Sequence, residues 1–400
     1  MKSEWTYRPL GELVSFASGG TPSKKRDDYW GGTIPWISAK TLKTENIDTS
    51  DLFITEEGLK AGSKIAPKGS ILLLTRGSGL FNGIPIARVE KDVAFNQDIK
   101  CLDSYGEVEN EFIFYWLLSQ KDYLMAKVGV TGIGAGKFDL DFLQKLMIPI
   151  PSERERKSIV GFASSISEKI RCNAKVNDNL QQQAVTLFKS WFVDFSLFGG
   201  TVPENWEDTT LENITTLITR GIAPKYSNDS DQTVINQKCI RNHTIDLSLA
   251  RSHTPKAINE KWLQFGDLLI NSTGDGTLGR VAQVWFAPKA LTVDSHVTIV
   301  RPAREELIFY IGLWGILHEK EIESLHTGST GQTELPRDRV KMLKLLLPDN
   351  ISLSRFNSII APMTSTIISN QEENQKLANL RDTLLPKLMS CEIGVANIQL

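Results

Sequence analysis

Between Ile150 and Phe195 the apolar residues recur at heptad spacing. With Ile159 at position a, the a and d positions are Ile159, Ala163, Ile166, Ile170, Asn173, Asn177, Leu180, Ala184, Leu187 and Trp191. Eight of these ten are apolar, the signature of a helix that pairs along one seam. Ser152 followed by Glu155 predicts a capping box, in which each side chain bonds the other residue's free backbone N–H. No proline or glycine interrupts the run after Gly161, and at about 1.5 Å per residue the helix would be roughly 60–65 Å long. The pattern returns 197 residues later at Phe356, Ile360, Met363, Ile367, Asn370, Asn374, Leu377, Arg381, Leu384 and Leu388. The two central asparagines recur in place, and asparagine in an apolar seam weakens pairing but fixes register. An intramolecular antiparallel pair is therefore predicted, with Asn173 and Asn177 meeting Asn374 and Asn370. Two unrelated amphipathic helices, each on its own domain, would leave the shared asparagines unexplained. Pro362 inside the second segment predicts a kink or break near Ala361. The bulky end at Leu187, Trp191 and Phe192 is predicted to pack on a globular domain or a partner helix.

The repeat extends beyond the helices. Trp5 and Leu10 open the first half, Trp206 and Leu211 the second. A glycine-bearing loop follows in each, SGGTPSKKR around Gly20 and TRGIAPKYS around Gly221. The short strands IPWISAKTL (34–42) and TVINQKCI (233–240) come next, then PKGSILLLTRGSG (67–79) and QFGDLLINSTGDG (264–276). NQDIKCL (96–102) answers to DSHVTIV (294–300), and NEFIFYWLLSQ (110–120) to EELIFYIGLWG (305–315). The late polar loops are 130–140 and 326–335, before MIPIP and LLLP lead into the long helices. The order is globular, helix, globular, helix. The predicted class is α+β: two similar mixed α/β domains separated by two long antiparallel helices, with a pseudo-two-fold repeat. The boundaries expected are 1–150 and 199–348 for the domains, 151–198 and 349–391 for the helices, and 392–400 for a tail. The Gly-Gly and Pro of SLFGGTVPEN (196–205) mark a linker. The halves differ most in their polar loops. That is the pattern of one frame presenting two different reading surfaces, and equally of surface drift after duplication.

Composition changes little in this picture. The 400 residues are 41% hydrophobic and 23% charged, enough for two or three real cores. A net charge of −2 argues against binding nucleic acid by overall charge, though not against a local basic face. The four cysteines, Cys101, Cys172, Cys239 and Cys391, form no CxxC pair, which suits a reducing cytoplasm. No signal peptide or membrane span is expected.

Several catalytic motifs fail on inspection. GIGAGKF (132–138) has Thr131 where a phosphate loop needs its first glycine, and Phe138 where it needs Ser or Thr. HEKEI (318–322) lacks the second histidine of a zinc-protease helix. There is no GxSxG elbow, no Asn/Asp-Pro-Pro-aromatic segment and no methyl-donor glycine motif. A catalytic role for this chain alone is not expected.

The residues nevertheless resemble a family. Trp5, the Leu10–Leu13 run, the GGTPS loop (Gly19–Ser23), PWISAKTL, GSILLLTRGS, the triplet Asn96–Asp98 and the IPIPS-ERERK lead-in, in this order and doubled, resemble the specificity (S) subunit of Type I restriction–modification systems. The second half departs from that pattern, with IAPKYS for TPSKK and DNISLSRF for SERERKSI. The resemblance implies two target-recognition domains reading a split, asymmetric site on double-stranded DNA, with the paired helices as spacer. It also implies docking of methyltransferase (M) subunits, two in number, that carry S-adenosylmethionine, and of translocase–nuclease (R) subunits. No cofactor is expected in this chain, and no membrane partner.

Reading DNA needs backbone contacts for position and side-chain contacts for sequence. The candidates are Thr21, Lys24, Lys25, Arg26 and Lys40 in the first half, with Arg76, Ser78 and Lys137. In the second they are Arg220, Lys225, Tyr226, Lys238, Ser272, Thr273 and Gln332. Asn173, Asn177, Asn370 and Asn374 are the helix-register residues. Solvated loop charges are the alternative for the cationic clusters. A non-DNA scaffold holding two peptide- or glycan-binding modules is the alternative for the whole chain, and a self-sufficient methyltransferase or nuclease is a third.

Overall fold

A computed structural model describes residues 5–132, 134–274, 276–328 and 333–394. The chain forms two compact units, one comprising the chain up to Arg171 and from Asn374 onward, the other Cys172–Glu373. Two helices of 40 residues each, Glu153–Phe192 and Asn350–Met389, contribute to both units.

In the first unit a five-stranded sheet runs in the order Val14–Ser18, Ile99–Ser104, Ile71–Leu74, Ile86–Val89, Asn46–Ile47. The chain order of these strands makes every pair antiparallel except the last. Ile71–Leu74 is apolar at every position and buried at every position, because helix Asn110–Ser119 covers the sheet with seven consecutive buried residues, Phe112–Leu118. A helix apolar on all sides is one enclosed on all sides. A second sheet holds Trp30–Ile37 parallel to Val93–Phe95. Thr6–Pro9 pairs with Met147–Ile150 and brings the start of the domain to the base of the first long helix.

The second unit repeats this frame. Thr215–Arg220, Val297–Pro302, Leu268–Asn271 and Val281–Gln283 form its main sheet in that order. Thr233–Ile235 runs parallel to Leu291–Val293, helix Ile308–Leu317 covers the sheet, and Glu207–Thr210 pairs with Lys344–Leu347.

The first long helix starts as expected. Ser152 N–H donates to Glu155 Oε2 at 3.1 Å and Glu155 N–H to Ser152 Oγ at 3.4 Å. The second uses Asp349, whose carboxylate accepts from the N–H groups of Ile351 (2.8 Å) and Ser352 (3.0 Å), the Ser352 hydroxyl (2.7 Å) and the Trp206 indole (2.8 Å). Burial alone would raise the Asp349 carboxyl, but these donors outweigh it and hold the group down at about 2.

Within each unit the helices pair antiparallel along the heptad seam. In the first, Ile159, Ala163 and Ile166 share a core with Leu385, Leu388 and Met389, and Asn374 Nδ2 donates to the Ile170 carbonyl at 3.3 Å. In the second, Asn370 Nδ2 donates to Asn177 Oδ1 at 2.8 Å, as expected, and Asn173 Nδ2 donates to Glu373 Oε2 at 2.7 Å. The bulky end packs on both a domain and a helix. Phe192 lies 5.5 Å from Trp206, 5.1 Å from Tyr310 and 4.8 Å from Phe356, ring centre to ring centre.

One expectation about the second helix is corrected. It is not broken at Pro362; Asn350–Met389 is helical throughout. Pro362 is exposed, so the Ser358 carbonyl that loses its N–H partner faces water, while Phe356 and Ile360 on the other face are held in the core. Arg381 stands at a seam position without being a flaw in it. It is 6% exposed and grips Glu45 with two hydrogen bonds of 2.6 and 3.0 Å, with Ser167 Oγ at 3.0 Å. The cation anchors the helix to its domain. Among the described residues no helix is long and apolar enough to cross a membrane.

Candidate nucleic-acid interface

Each unit has a polar platform built around one turn. In the first unit it is Asn96–Asp98. Asn96 N–H donates to the Ile37 carbonyl at 2.9 Å. Asp98 N–H donates to Asn96 Oδ1 at 3.2 Å, and Asn96 Nδ2 to Asp98 Oδ2 at 3.0 Å. The Asp98 carbonyl accepts from Thr75 N–H at 2.9 Å and Arg76 N–H at 3.2 Å, and Phe138 N–H donates to the Thr75 carbonyl at 2.9 Å. The glycine loop closes on the same place. Gly20 N–H donates to the Phe95 carbonyl at 2.9 Å, and a Cβ on Gly19 would lie 2.0 Å from that oxygen, so only glycine fits. Four segments far apart in sequence thus meet at one turn.

The second unit reproduces four of these bonds. Asp294 N–H donates to the Ile235 carbonyl (2.9 Å), His296 N–H to Asp294 Oδ1 (2.9 Å), Ser272 N–H to the His296 carbonyl (2.8 Å) and Leu335 N–H to the Ser272 carbonyl (2.8 Å). Gly221 stands where Gly19 does, a Cβ there falling 1.9 Å from the Val293 oxygen. Asp294 replaces the amide of Asn96 with a carboxyl, and burial raises it above the ordinary aspartate range.

The platform assembles most of the first-half candidates. Lys40 is exposed on the turn after Ile37. Strand Arg76–Gly77 pairs with Gly136–Lys137, placing Arg76 directly opposite Lys137; both are exposed. Two like charges side by side are unfavourable unless a counter-charge lies near them. The glycine-rich stretch thus runs into a strand of this ribbon, Gly136–Lys137. Ser78 is exposed at the following turn. Thr21 donates its hydroxyl to Gln97 Oε1 at 2.7 Å. Lys24 and Lys25 are exposed in the next loop. Arg26 is engaged: it bonds Asp28 at 2.8 and 2.7 Å and lies 4.8 Å above the Tyr29 ring. That pairing holds the guanidinium more firmly protonated and pulls the Asp28 carboxyl below its usual range.

The second-half candidates are more mixed. Lys225 and Lys238 are exposed. Tyr226 is exposed, with the Arg251 guanidinium 3.5 Å from its ring centre, a cation–π pair. Thr273 is half-buried and bonds His296 Nδ1 at 2.7 Å. Arg220 is tied to the Glu334 carboxylate and donates to the Leu335 carbonyl at 2.8 Å. Ser272 is corrected: it is fully buried, its hydroxyl 2.6 Å from Thr298 Oγ1, so it supports the turn from below and cannot touch a ligand. Gln332 lies outside the described residues. Thr273 and Glu334 form the bridge that Arg76 and Lys137 form in the first unit. A cationic pair in one unit is therefore a neutral and an acidic residue in the other. Gln97, His296, Glu334 and Arg251 were not among the expected contacts. The triplets 96–98 and 294–296, aligned in the repeat, carried the signal for the first two.

The model of the family described as "Type I restriction modification DNA specificity domain" matches residues 2–182. The Type I restriction enzyme MjaIX specificity subunit of Methanocaldococcus jannaschii is 26% identical over 99% of this chain and 95% of its own length. The EcoR124I/EcoR124II specificity subunit of Escherichia coli is 31% identical over 161 residues, 40% of each protein. The crystal structure of a Type I restriction–modification S subunit from M. genitalium superposes with a TM-score of 0.55, covering 97% of this chain and 96% of that one at 17% identity.

Proposed function

We propose that this chain is the DNA-recognition subunit of a Type I restriction–modification complex, a reading supported by its similarity to the DNA specificity domain over residues 2–182 and to a specificity subunit over nearly its whole length. Its part is recognition, not catalysis. The observation that carries the reading is the doubled platform. The same backbone bonds recur around Asn96–Asp98 and Asp294–His296, while the side chains presented on them differ. One scaffold with two sets of presented groups suits the reading of two unlike half-sites of a split DNA sequence. Lys40, Arg76 and Lys137 contact phosphate in the first unit, and Lys225, Lys238 and Arg251 do so in the second. Two methyltransferase subunits bring S-adenosylmethionine and methylate adenine, translocase–nuclease subunits join for cleavage, and the assembly works in the cytoplasm. The near-neutral chain leaves much of the phosphate neutralisation to those partners. The alternative of a peptide- or glycan-binding scaffold is not favoured by the family match.

Methylome sequencing of cells carrying the intact operon tests this. A bipartite adenine-methylation motif is expected, one half of which changes when residues 1–150 are replaced by those of another subunit. No motif, or one indifferent to the replacement, would overturn the reading.

A further inference from the structure

Within the Asn96–Asp98 turn one side chain is presented and the other two are bonded to each other. Asn96 is 6% exposed, its amide spent on Asp98. Asp98 is half-buried, its carbonyl holding Thr75 and Arg76. Gln97, between them, is exposed. Its carbonyl oxygen accepts the Thr21 hydroxyl at 2.7 Å, and Thr21 follows the two glycines sealed against Phe95. Both ends of that bond stand on fixed backbone, so the amide is oriented before any ligand arrives.

We propose that Gln97 reads an adenine in the half-site of the first unit and that Thr21 is its positioning residue; this rests on the DNA-recognition reading above. Thr21 occupies one lone pair of Oε1. The second lone pair and both Nε2 hydrogens remain, one acceptor and one donor side by side. The major-groove edge of adenine offers the complement, acceptor N7 and donor N6, and glutamine meets it with two hydrogen bonds. Guanine offers two acceptors there, one of which would face Oε1 with no proton between. Lys40, Arg76 and Lys137, on the turns bonded to the same platform, supply the phosphate contacts that set the register. The second unit carries Ser295 at the equivalent position, beside a His296 held by Thr273, so its half-site is read with different chemistry.

The test uses the purified complex with its methyltransferase subunits, bound to duplexes carrying each base at every position of the motif. Gln97→Ala is expected to cost about ten- to a hundredfold in discrimination for adenine at one position of the first half-site. Every other position, and the whole second half-site, should stay as in the wild type. Gln97→Glu should shift that position toward cytosine, whose N4 amino group a carboxylate accepts. Thr21→Val should weaken the same position alone, and Thr21→Ser should restore it. Unchanged discrimination in Gln97→Ala overturns the proposal, as does relaxation across the entire first half-site, which would mean the turn is only structural. A wild-type complex with no bipartite motif would instead overturn the recognition reading and this inference with it.

Discussion

The side chains of Asn177 and Asn370 are joined by a 2.8 Å hydrogen bond inside the helix seam of the second unit. Asn177 Nδ2 also reaches the Ile367 carbonyl at 3.4 Å. An amide in an apolar seam is tolerated only opposite a partner, so this pair selects one register among those the heptads alone would allow. Asn370→Leu by itself should destabilise the protein by about 1 kcal/mol, the cost of a half-buried amide without its partner. Asn177→Leu added to it should recover that loss while broadening the unfolding transition. Urea denaturation of the three proteins checks this; a double variant weaker than the single one would contradict it.

Arg381 is a charge where the repeat predicts an apolar residue. Arg381→Met takes both hydrogen bonds from Glu45, which keeps Lys121 at 3.4 Å, and should cost about 2 kcal/mol, less than splitting a fully buried ion pair. Adding Glu45→Gln should return part of it. Thermal unfolding of the single and double variants decides the point.

Asp349 links pH to stability. Its folded-state value of about 2 lies below the ordinary 3.8. Its contribution is therefore complete above about pH 4 and disappears as pH falls toward 2. Asp349→Asn should lower Tm at pH 6 and converge with the wild type near pH 2. A difference in Tm that stayed constant across that range would exclude the carboxylate as its origin.

Arg76 and Lys137 face each other on a ribbon, whereas Thr273 and Glu334 hold the equivalent place. In the assembled complex, Arg76→Ala and Lys137→Ala should each weaken binding to all sequences alike and reduce the log–log salt slope by about 1. Glu334→Lys should act in the opposite sense. Fluorescence anisotropy across a salt series measures all three.

The chain alone, with a net charge of −2, should bind DNA weakly. Added methyltransferase subunits should raise affinity and steepen its salt dependence. Tight sequence-specific binding by the isolated chain would refute the division of labour proposed for the complex.

The long helices, their capping box, the asparagine register and the duplication were legible in the sequence alone, because each is a periodic or local signal. Heptads follow from 3.6 residues per turn, a capping box spans four residues, and a repeat is self-similarity at a fixed distance. Where a polar residue goes was not legible. Ser272 and Thr273 are neighbours just past a strand, yet one is fully buried against Thr298 and the other half-buried against His296, because the segments that cover them come from elsewhere in the chain. Pro362 is harmless because its defect faces water, and Arg381 is useful because Glu45 lies opposite it. The meeting of Arg76 with Lys137, and of Thr21 with Gln97, joins segments more than sixty residues apart. Hydrophobic patterning states that a strand is buried but not what packs beside it. Those partnerships came from long-range backbone pairing, which only the tertiary structure decided.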